Sequence, residues 1–471
     1  MLTLADALEA LTGYRHAWAN QIISEATIDS RQVIPGALFI ALAGEKVDGH
    51  DYVEHAFSRG ASYALVQRDL PQNFPVLDLR SGTDPNQIPP IGSPLCLRVD
   101  DNLKALQQIA RFWRAKLNVE VIGITGSVGK STTKELIADV LSQRYRTLKN
   151  TGNLNNEIGL PLTILGLSEG HERAVLEMGF YVPGEIAFLC DLARPRIGVI
   201  TNIGTVHAER AGSQETIARG KAELIQSLPS DGYAVLNFDD PWVRDMANHT
   251  QAKVFFYGLD PQSDLWADNV ESMGLDGIRF RLHYRREVLY LRVPMIGRHS
   301  VQTALRATAV GLIDGLSWQE IISGLRTATT QLRLMAVRTS SGALILDDTY
   351  NASPESMLAA LNLLDELEGR KIAVLGDMLE LGQYEWRGHE MVGIRASEVA
   401  DELITLGERG RMIAAAACRA GLPAKKINEM DTVEQIVDLL KQRLGDRDIV
   451  LVKGSRGTHM ERIVAALEVR S

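Results

Sequence analysis

The sequence lacks the features that would place the chain in a membrane or outside the cell. Its first residues, MLTLADALEA, carry acids and no basic region, and no apolar run approaches the roughly 18 residues that cross a bilayer. Only three cysteines occur, Cys96, Cys190 and Cys418, and they are far apart without metal-type spacing. This argues against a disulfide framework or a zinc site. We therefore expect a soluble, cytoplasmic protein.

The sequence also lacks an excess of positive charge. It has 50 Lys and Arg residues against 59 Asp and Glu residues, a formal net charge of -9. Sequence-independent binding of nucleic acid requires clustered basic residues, so we expect small-molecule substrates and no nucleic-acid partner. Separately, we expect a monomer. Hydrophobic residues make up 45% and charged residues 23%, which is ordinary for a globular protein and argues against extensive disorder.

The length of 471 residues predicts about three domains. A polar stretch over 80–94, SGTDPNQIPPIGSP with its preceding arginine, reads as a surface loop, and a helical pattern follows it in NLKALQQIARFWRAKL. A second boundary falls near Leu316. The predicted domains are 1–101, 102–316 and 317–471.

The pattern of short apolar strands separated by helical segments predicts an α/β fold with mainly parallel sheets. The central domain contains VEVIGIT, AVLEMG, IGVITNIG and YAVLNFDD, followed by an alternating antiparallel ribbon, RFRLHYRREVLYLRVP. The C-terminal domain contains ALILDD, KIAVLGDM, ELITLG and DIVLVKG, which predict a second, Rossmann-like sheet. The N-terminal domain mixes short strands and helices and is expected to be a small α/β unit.

One segment carries the strongest chemical signal. GITGSVGKST follows an apolar strand and precedes a helical segment, which is the context that a nucleotide-phosphate loop requires. Glycine lets the backbone turn its amides inward, and the new helix presents its positive end to phosphate. The standard spacing would put glycine at Ile124, whereas glycine stands at Gly123, so the core TGSVGKST carries the prediction. The alternative is a glycine turn that binds nothing.

Within this loop, Lys130 supplies a mobile charge for the outer phosphates, and Ser131 or Thr132 offers a hydroxyl to Mg²⁺. The candidate ATP-binding residues of the loop are Thr125, Gly126, Ser127, Val128, Gly129, Lys130, Ser131 and Thr132.

Further candidates follow later strands. Glu177 ends AVLEMG and His207 follows IGVITNIG, and the carboxyl ends of strands are where open α/β sheets bind ligands. Each has an ordinary alternative, a solvated strand end or a loop residue, but the shared edge with a phosphate loop favours metal binding. Lys221, in GKAELI, is from chemistry alone expected to be solvated. The amides of TGNLNNEIGLP could bind a ligand or simply form a turn.

Together these motifs resemble the Mur ligases over nearly the whole chain. The motifs that carry the resemblance follow in the family's order: DSRQVIPGALFIALAGEKVDGHDYVEHAFSRGA, ITGSVGKSTTKE, TGNLNNEIGLPLT, LEMGFYVPGEI, TNIGTVHAER, LDDTYNASPESM and VLGDMLELGQYEWRGH. The last two are similar to the branch that adds D-alanyl-D-alanine to a peptidoglycan precursor. The family commonly has asparagine where this chain has Thr303 and Ser353.

The resemblance implies ATP and two Mg²⁺ ions as cofactors and a role for each matching residue. It implies a catalytic set of Lys130, Glu177, His207, Lys221 and Arg333. It implies that the nucleotide is also contacted by Asn155, His299, Arg333 and Asp347, with Asn156 beside them, and that the metal ions are bound by Ser131, Glu177, His207 and a carbamylated Lys221. It implies that the uridine nucleotide is contacted by Ser30 and Arg31. The dipeptide would be contacted by Asp348, Tyr350 and Asn351.

The expected reaction is ATP-dependent formation of an amide between UDP-N-acetylmuramoyl-tripeptide and D-alanyl-D-alanine, a cytoplasmic step of peptidoglycan synthesis. Three alternatives remain open. A sister ligase would add a single amino acid, diaminopimelate or lysine, although no DNPR motif is present. A phosphate-loop kinase would phosphorylate a hydroxyl, and a nucleotide-binding regulatory module would perform no chemistry.

Overall fold

The structure, a computed structural model, describes residues 1–44, 47–71, 73–80, 92–205, 208–327 and 335–468. Two predicted site residues, His207 and Arg333, lie outside these ranges, as does most of the polar stretch over 80–94. The chain divides into two compact units. The first comprises Met1–Gly123, Tyr145–Gly179 and Gly184–Arg196, and the second comprises Ile124–Arg144, Phe180–Pro183 and Ile197–Ser471.

The described part of the chain contains sixteen α-helices. They are α1 Leu4–Thr12, α2 Val53–Ser58, α3 Asn102–Lys116, α4 Lys130–Leu141, α5 Gly159–Leu165, α6 Glu185–Ala193, α7 Ala208–Ala211, α8 Gln214–Gln226, α9 Pro241–Asp245, α10 Ser300–Ile313, α11 Trp318–Thr327, α12 Pro354–Glu366, α13 Glu385–Val399, α14 Gly410–Arg419, α15 Val433–Arg443 and α16 Glu461–Leu467.

Twenty strands alternate with these helices in the described ranges. They are β1 Ala26–Thr27, β2 Leu38–Ile40, β3 Tyr63–Val66, β4 Val76–Asp78, β5 Leu95–Arg98, β6 Glu120–Thr125, β7 Thr147–Lys149, β8 Arg173–Glu177, β9 Ile197–Ile200, β10 Tyr233–Asn237, β11 Lys253–Gly258, β12 Leu265–Ser272, β13 Ile278–Tyr284, β14 Glu287–Val293, β15 Met335–Arg338, β16 Leu344–Asp348, β17 Arg370–Gly376, β18 Glu402–Leu406, β19 Ile427–Met430 and β20 Asp448–Lys453.

The first unit contains a five-stranded parallel sheet in the order β1-β2-β3-β5-β4. One face of this sheet packs on a small apolar core that includes Phe39, Ala64 and Val66. Strands β7 and β8 of the same unit pair in parallel and deliver the chain to Glu177. The N-terminal segment is therefore the small α/β sheet that the sequence predicted.

In the second unit, strands β9 to β12 pair in parallel and β12, β13 and β14 continue as an antiparallel meander. The alternating segment RFRLHYRREVLYLRVP forms β13 and β14, and the antiparallel pairing predicted for it is confirmed. Helix α10 then follows and packs against α4. The helical period of GRHSVQTALRATAVGLI arises from this buried helix.

The C-terminal sheet has the order β15-β16-β20-β17-β18-β19, parallel except for the edge strand β15. The middle of strand β17 is apolar because both faces of the sheet are covered: Ile372 and Val374 belong to one core, whereas Ala373 and Leu375 belong to the other. The fold class predicted from the sequence, α/β with a Rossmann-like C-terminal sheet, is confirmed.

The three cysteines are free thiols. Cys96 and Cys190 are buried, whereas Cys418 is exposed near the end of α14. Burial raises the pKa of the Cys96 thiol to about 11. No helix in the described ranges has both the length and the apolar character that a bilayer crossing requires.

Candidate functional site

The glycine-rich segment forms a tight turn between β6 and α4. Gly126 and Gly129 have φ values of 145° and 82°, in the region that favours glycine. A Cβ on Gly126 would lie only 1.8 Å from Thr201 Oγ1. The turn therefore depends on glycine for both its backbone angle and its close packing.

Hydrogen bonds fasten this turn to the segment after β9. The amides of Ser127 and Val128 donate to the backbone oxygen and the Oδ1 of Asn202, both at 2.9 Å, and the amide of Gly204 donates to Ser127 Oγ at 2.8 Å. The sequence predicted Ser127 and Val128 as nucleotide contacts. Their amides pair with Asn202 in this structure.

Two lysines converge on the turn. Lys130 Nζ donates to the carbonyl oxygens of Gly126 at 2.9 Å and Ser127 at 3.1 Å, and Lys221 Nζ donates to the same Gly126 oxygen at 2.9 Å. Lys221 is 1% exposed and lies over the Phe180 ring at 4.7 Å. The expectation of a solvated Lys221 is wrong, because α8 turns this side chain inward onto the loop carbonyl.

The turn has the chemistry that a polyphosphate requires. No side chain caps α4, so the positive end of this helix begins directly at Lys130. Thr201 Oγ1 is buried beside Gly126 and has no hydrogen-bond partner in the described part of the chain. Two ammonium groups, an uncapped helix and an unpaired hydroxyl fit the binding of phosphate groups.

Glu177 stands at the end of β8 and is 2% exposed. Its Oε1 accepts a hydrogen bond from Asn155 Nδ2 at 3.0 Å, and Asn150 bonds its backbone amide and carbonyl at 2.9 and 3.1 Å. Asn156 Oδ1 accepts from the amide of Gly159 at 2.9 Å, so this side chain forms part of the turn before α5. The solvated strand end considered for Glu177 is therefore wrong.

The predicted metal ligands supply the right kind of donor for Mg²⁺. Ser131 offers a hydroxyl and Glu177 a carboxylate, and hard cations prefer oxygen ligands. Within the described ranges, which omit His207, no three His, Cys, Asp or Glu side chains form a metal-binding group.

The predicted uridine-nucleotide residues lie next to each other after β1. Ser30 is buried and its Oγ lies 2.9 Å from His55 Nδ1. Arg31 is exposed and forms a bidentate contact with Asp29, at 2.9 and 2.8 Å. The Arg31 guanidinium lowers the pKa of the Asp29 carboxyl to about 2. Asp29 thus holds the Arg31 guanidinium in place while the side chain stays exposed to solvent.

The predicted C-terminal residues lie at the end of β16 and in the loop that follows it, and Lys453 holds this loop. Lys453, at the end of β20, is 2% exposed and donates to Asp348 Oδ2 at 2.7 Å and to the Asn351 carbonyl at 2.9 Å. Asp347 accepts from the hydroxyl and amide of Thr349 at 2.7 and 3.1 Å. Tyr350 is exposed.

His299 immediately precedes α10. Desolvation by the surrounding protein lowers its pKa, and the Asp348 carboxylate acts in the opposite direction. Asp348 is therefore one of the charged groups that act on His299, together with Glu366.

The two positions that depart from the family pattern have defined local roles. Thr303 Oγ1 accepts from Arg306 Nη2 at 3.4 Å. Ser353 caps α12, because its Oγ accepts from the amide of Ser356 at 3.2 Å while Ser356 Oγ bonds the Ser353 amide at 2.9 Å.

Glu355 makes a contact with Thr205 that the sequence did not indicate. It lies in the first turn of α12, and its Oε1 accepts from the amide of Thr205 at 3.1 Å and from the hydroxyl at 3.4 Å. Its Oε2 is buried and has no hydrogen-bond partner among the described residues. Glu355 therefore links α12 to the segment that leads to position 207.

Asn150, Asn202 and Lys453 were missed as well. Their only signal in the sequence is that each follows or ends an apolar strand, LKN, VITN and VLVK, at the sheet edge where ligands bind.

Protein-family models match three successive parts of the chain. A Mur ligase family, catalytic domain model matches residues 22–114, a Mur ligase middle domain model matches 124–311, and a Mur ligase, glutamate ligase domain model matches 332–456. The chain is 38% identical to the UDP-N-acetylmuramoyl-tripeptide--D-alanyl-D-alanine ligase of Bacillus subtilis, covering 95% of this chain and 93% of that protein. It is 32% identical to the Escherichia coli ligase of the same name, covering 99% and 98%.

Solved structures agree with these relatives. A crystal structure of MurF from Acinetobacter baumannii matches with a TM-score of 0.83 and 30% identity over 99% of both chains. MurF ligase from Thermotoga maritima in complex with ADP matches with a TM-score of 0.78 and 28% identity over 98% of both chains. The chain therefore belongs to the Mur ligase family.

Proposed function

We propose that this chain is an ATP-dependent ligase that joins D-alanyl-D-alanine to UDP-N-acetylmuramoyl-tripeptide, releasing ADP and phosphate. The observation that carries the proposal is near full-length similarity to ligases with this reaction in their names. The glycine turn with its two lysines supports the ATP-dependent half of the reaction.

We assign one substrate to each predicted domain. Residues 1–101 bind the uridine nucleotide through Ser30 and Arg31, residues 102–316 bind ATP, and residues 317–471 bind the dipeptide. The exposure of the Arg31 side chain, 82%, supports the first assignment, since an accessible guanidinium is suited to binding phosphate.

The chemistry begins with activation of the tripeptide's carboxylate. A carboxylate does not react with an amine at neutral pH because its oxygen is a poor leaving group. Its oxygen attacks the γ-phosphorus of ATP, the bond to the β-phosphate oxygen breaks, and an acyl phosphate and ADP form. Lys130 and the positive end of α4 stabilise the charge on the transferring group.

The amine of the dipeptide then attacks the acyl carbon. A tetrahedral intermediate forms and collapses to the amide, inorganic phosphate leaves, and the amine gives up a proton. Asp348, Tyr350 and Asn351 are the residues proposed to lie near this amine, and Lys453 holds their loop in place.

Magnesium would supply charge neutralisation at the phosphates. The residues proposed to hold the two ions are Ser131, Glu177, His207 and, if carbamylated, Lys221. Asn150 and Asn155 orient Glu177 for that role. Asn155, His299, Arg333 and Asp347 complete the proposed nucleotide contacts. We further propose that the protein acts as a monomer in the cytoplasm.

The decisive experiment measures ADP release with each substrate omitted in turn. The proposal requires that release depend on both UDP-N-acetylmuramoyl-tripeptide and D-alanyl-D-alanine. Release when diaminopimelate or lysine replaces the dipeptide would identify a sister ligase instead, and a phosphorylated product formed without any amine would identify a kinase.

Lys130→Ala tests the role of the loop in this assay. We expect turnover to fall by about a thousandfold, because the side chain stabilises charge on the transferred phosphoryl group. A folded variant with unchanged turnover would contradict the proposed role of the turn.

A further inference from the structure

Arg306 is a buried charge that the proposed chemistry does not yet use. It lies within α10, is 5% exposed, and donates from Nε to the Gln302 carbonyl at 2.9 Å. Its Nη1 and Nη2 donate to the hydroxyls of Thr133 and Thr303 at 2.8 and 3.4 Å. These acceptors are all uncharged, and no carboxylate in the described part of the chain forms an ion pair with this guanidinium.

Burying a charge without a counter-charge is unfavourable. Desolvation lowers the pKa of Arg306, and the Tyr257 ring, 5.8 Å from its Cζ, offers weak compensation. An anion bound nearby would lower the free energy of the buried cation.

The position of Arg306 indicates which anion. A Cβ on Gly129 would lie 3.3 Å from Arg306 Nη1, and Thr133 is the fourth residue of α4. The guanidinium thus packs against the glycine turn at the positive end of a helix, where a cation is disfavoured and an anion is stabilised.

We propose that Arg306 is an electrostatic partner of the nucleotide: the phosphate groups bound at the glycine turn balance its buried charge. This inference rests on the proposed function, because it takes a nucleoside triphosphate as the ligand of the turn. Arg306 acts across Gly129 and Thr133, so it is a positioning residue of the phosphate site.

Arg114 provides a matched internal control. It is 7% exposed in α3, and its guanidinium donates to the carbonyls of Ala193, Leu117 and Val119 at 2.7, 3.0 and 2.8 Å. Ala193 and Leu117 lie at the C-terminal ends of α6 and α3, where the carbonyls carry partial negative charge that favours a cation. Arg114 therefore has a structural partner for its charge, whereas Arg306 has only hydroxyls and one carbonyl.

The test measures by calorimetry how tightly ATP, ADP and AMP bind, with and without Mg²⁺. It compares the natural chain with R306M, R306K and R114M. The Tm of each protein is also measured without nucleotide. For R306M we expect ATP affinity to fall on the order of tenfold, with a smaller loss for AMP, because fewer phosphate charges interact. Without nucleotide its Tm should be equal or higher, since a buried cation has been removed. R306K should retain most of the affinity for ATP. R114M should have a lower Tm without nucleotide but an unchanged affinity for ATP.

Each outcome separates the two proposals. If the natural chain binds no ATP, the proposed function fails before any variant is compared. If it binds ATP and R306M binds equally well with a lowered Tm, Arg306 is a structural arginine and the inference is overturned. Should R306M not fold, R306Q, which keeps a polar contact to Thr133 without the charge, takes its place, and unchanged ATP affinity would overturn the inference in the same way.

Discussion

Two loops that follow parallel strands are each held by a buried lysine, and the two lysines donate to different kinds of acceptor. Lys221 reaches the glycine turn and donates to the carbonyl of Gly126 at 2.9 Å. Lys453 reaches the loop after β16 and donates to the carboxylate of Asp348 at 2.7 Å. Both side chains are at most 2% exposed.

The difference shows that equal burial does not imply equal function. A carboxylate neutralises an ammonium group, so the Lys453 contact fixes a loop without leaving charge for a ligand. The Lys221 contact instead ties this side chain to the carbonyl of Gly126, in the turn where we propose that phosphate binds. We expect the first contact to act mainly on stability and the second mainly on the reaction.

The largest expected effect is on Lys453. K453M should lower the free energy of unfolding by about 3 kcal/mol, because it leaves the Asp348 carboxylate without its partner. The double variant K453M/D348N should recover part of that loss, as measured by urea unfolding. Equal losses in the single and double variants would show that the ion pair does not hold the loop.

The next effect is on Lys221. K221M should lower turnover about a hundredfold, because the hydrogen bond that shapes the proposed phosphate-binding turn is lost. Its free energy of unfolding should fall less than that of K453M, by about 1–2 kcal/mol, since one charged hydrogen bond is lost. If turnover is retained and stability falls as far as in K453M, the two lysines have the same role and the comparison fails.

A smaller effect is expected at Glu355, the carboxylate that α12 presents to Thr205. E355A should lower the free energy of unfolding by about 1 kcal/mol and speed hydrogen exchange at the Thr205 amide, because that amide loses its acceptor. E355Q retains an acceptor oxygen and should keep the protection. Fast exchange in both variants would mean that the charge, rather than the hydrogen bond, holds this contact.

The smallest effect is expected at the exposed pair of Asp29 and Arg31, which serves as a surface reference for the buried lysines. Arg31 lowers the pKa of Asp29 from 3.8 to about 2. The contact therefore stabilises the fold above the ordinary carboxyl pKa and loses this contribution as the pH falls through about 2. In R31A, NMR titration should find the Asp29 pKa raised toward its ordinary value, with only a small loss of stability at pH 7 because solvent screens this exposed pair. An unchanged Asp29 pKa would rule out Arg31 as the cause.

The sequence predicted those features that depend on neighbouring residues. The apolar strands, the antiparallel ribbon over 279–294 and the glycine turn were recognisable because their signals lie within a few residues of one another. Lys130 was identifiable for the same reason, since it directly follows Gly129 in the motif.

The supports of the site were not recognisable because they depend on contacts distant in sequence. Val128 and Asn202 are 74 positions apart, Lys453 and Asp348 are 105 apart, and Thr205 and Glu355 are 150 apart. The error at Lys221 has the same origin: lysine is usually exposed, and only the packed fold shows the carbonyl that it reaches.

The distribution of the three thiols has a practical consequence. Cys96 and Cys190 are enclosed by the protein, and only Cys418 lies open to solvent. A maleimide fluorophore added under native conditions should therefore attach at one place on α14 without any engineered cysteine. The natural chain thus comes equipped with a single reporter position, from which distances to a labelled nucleotide can be followed as the substrates are added.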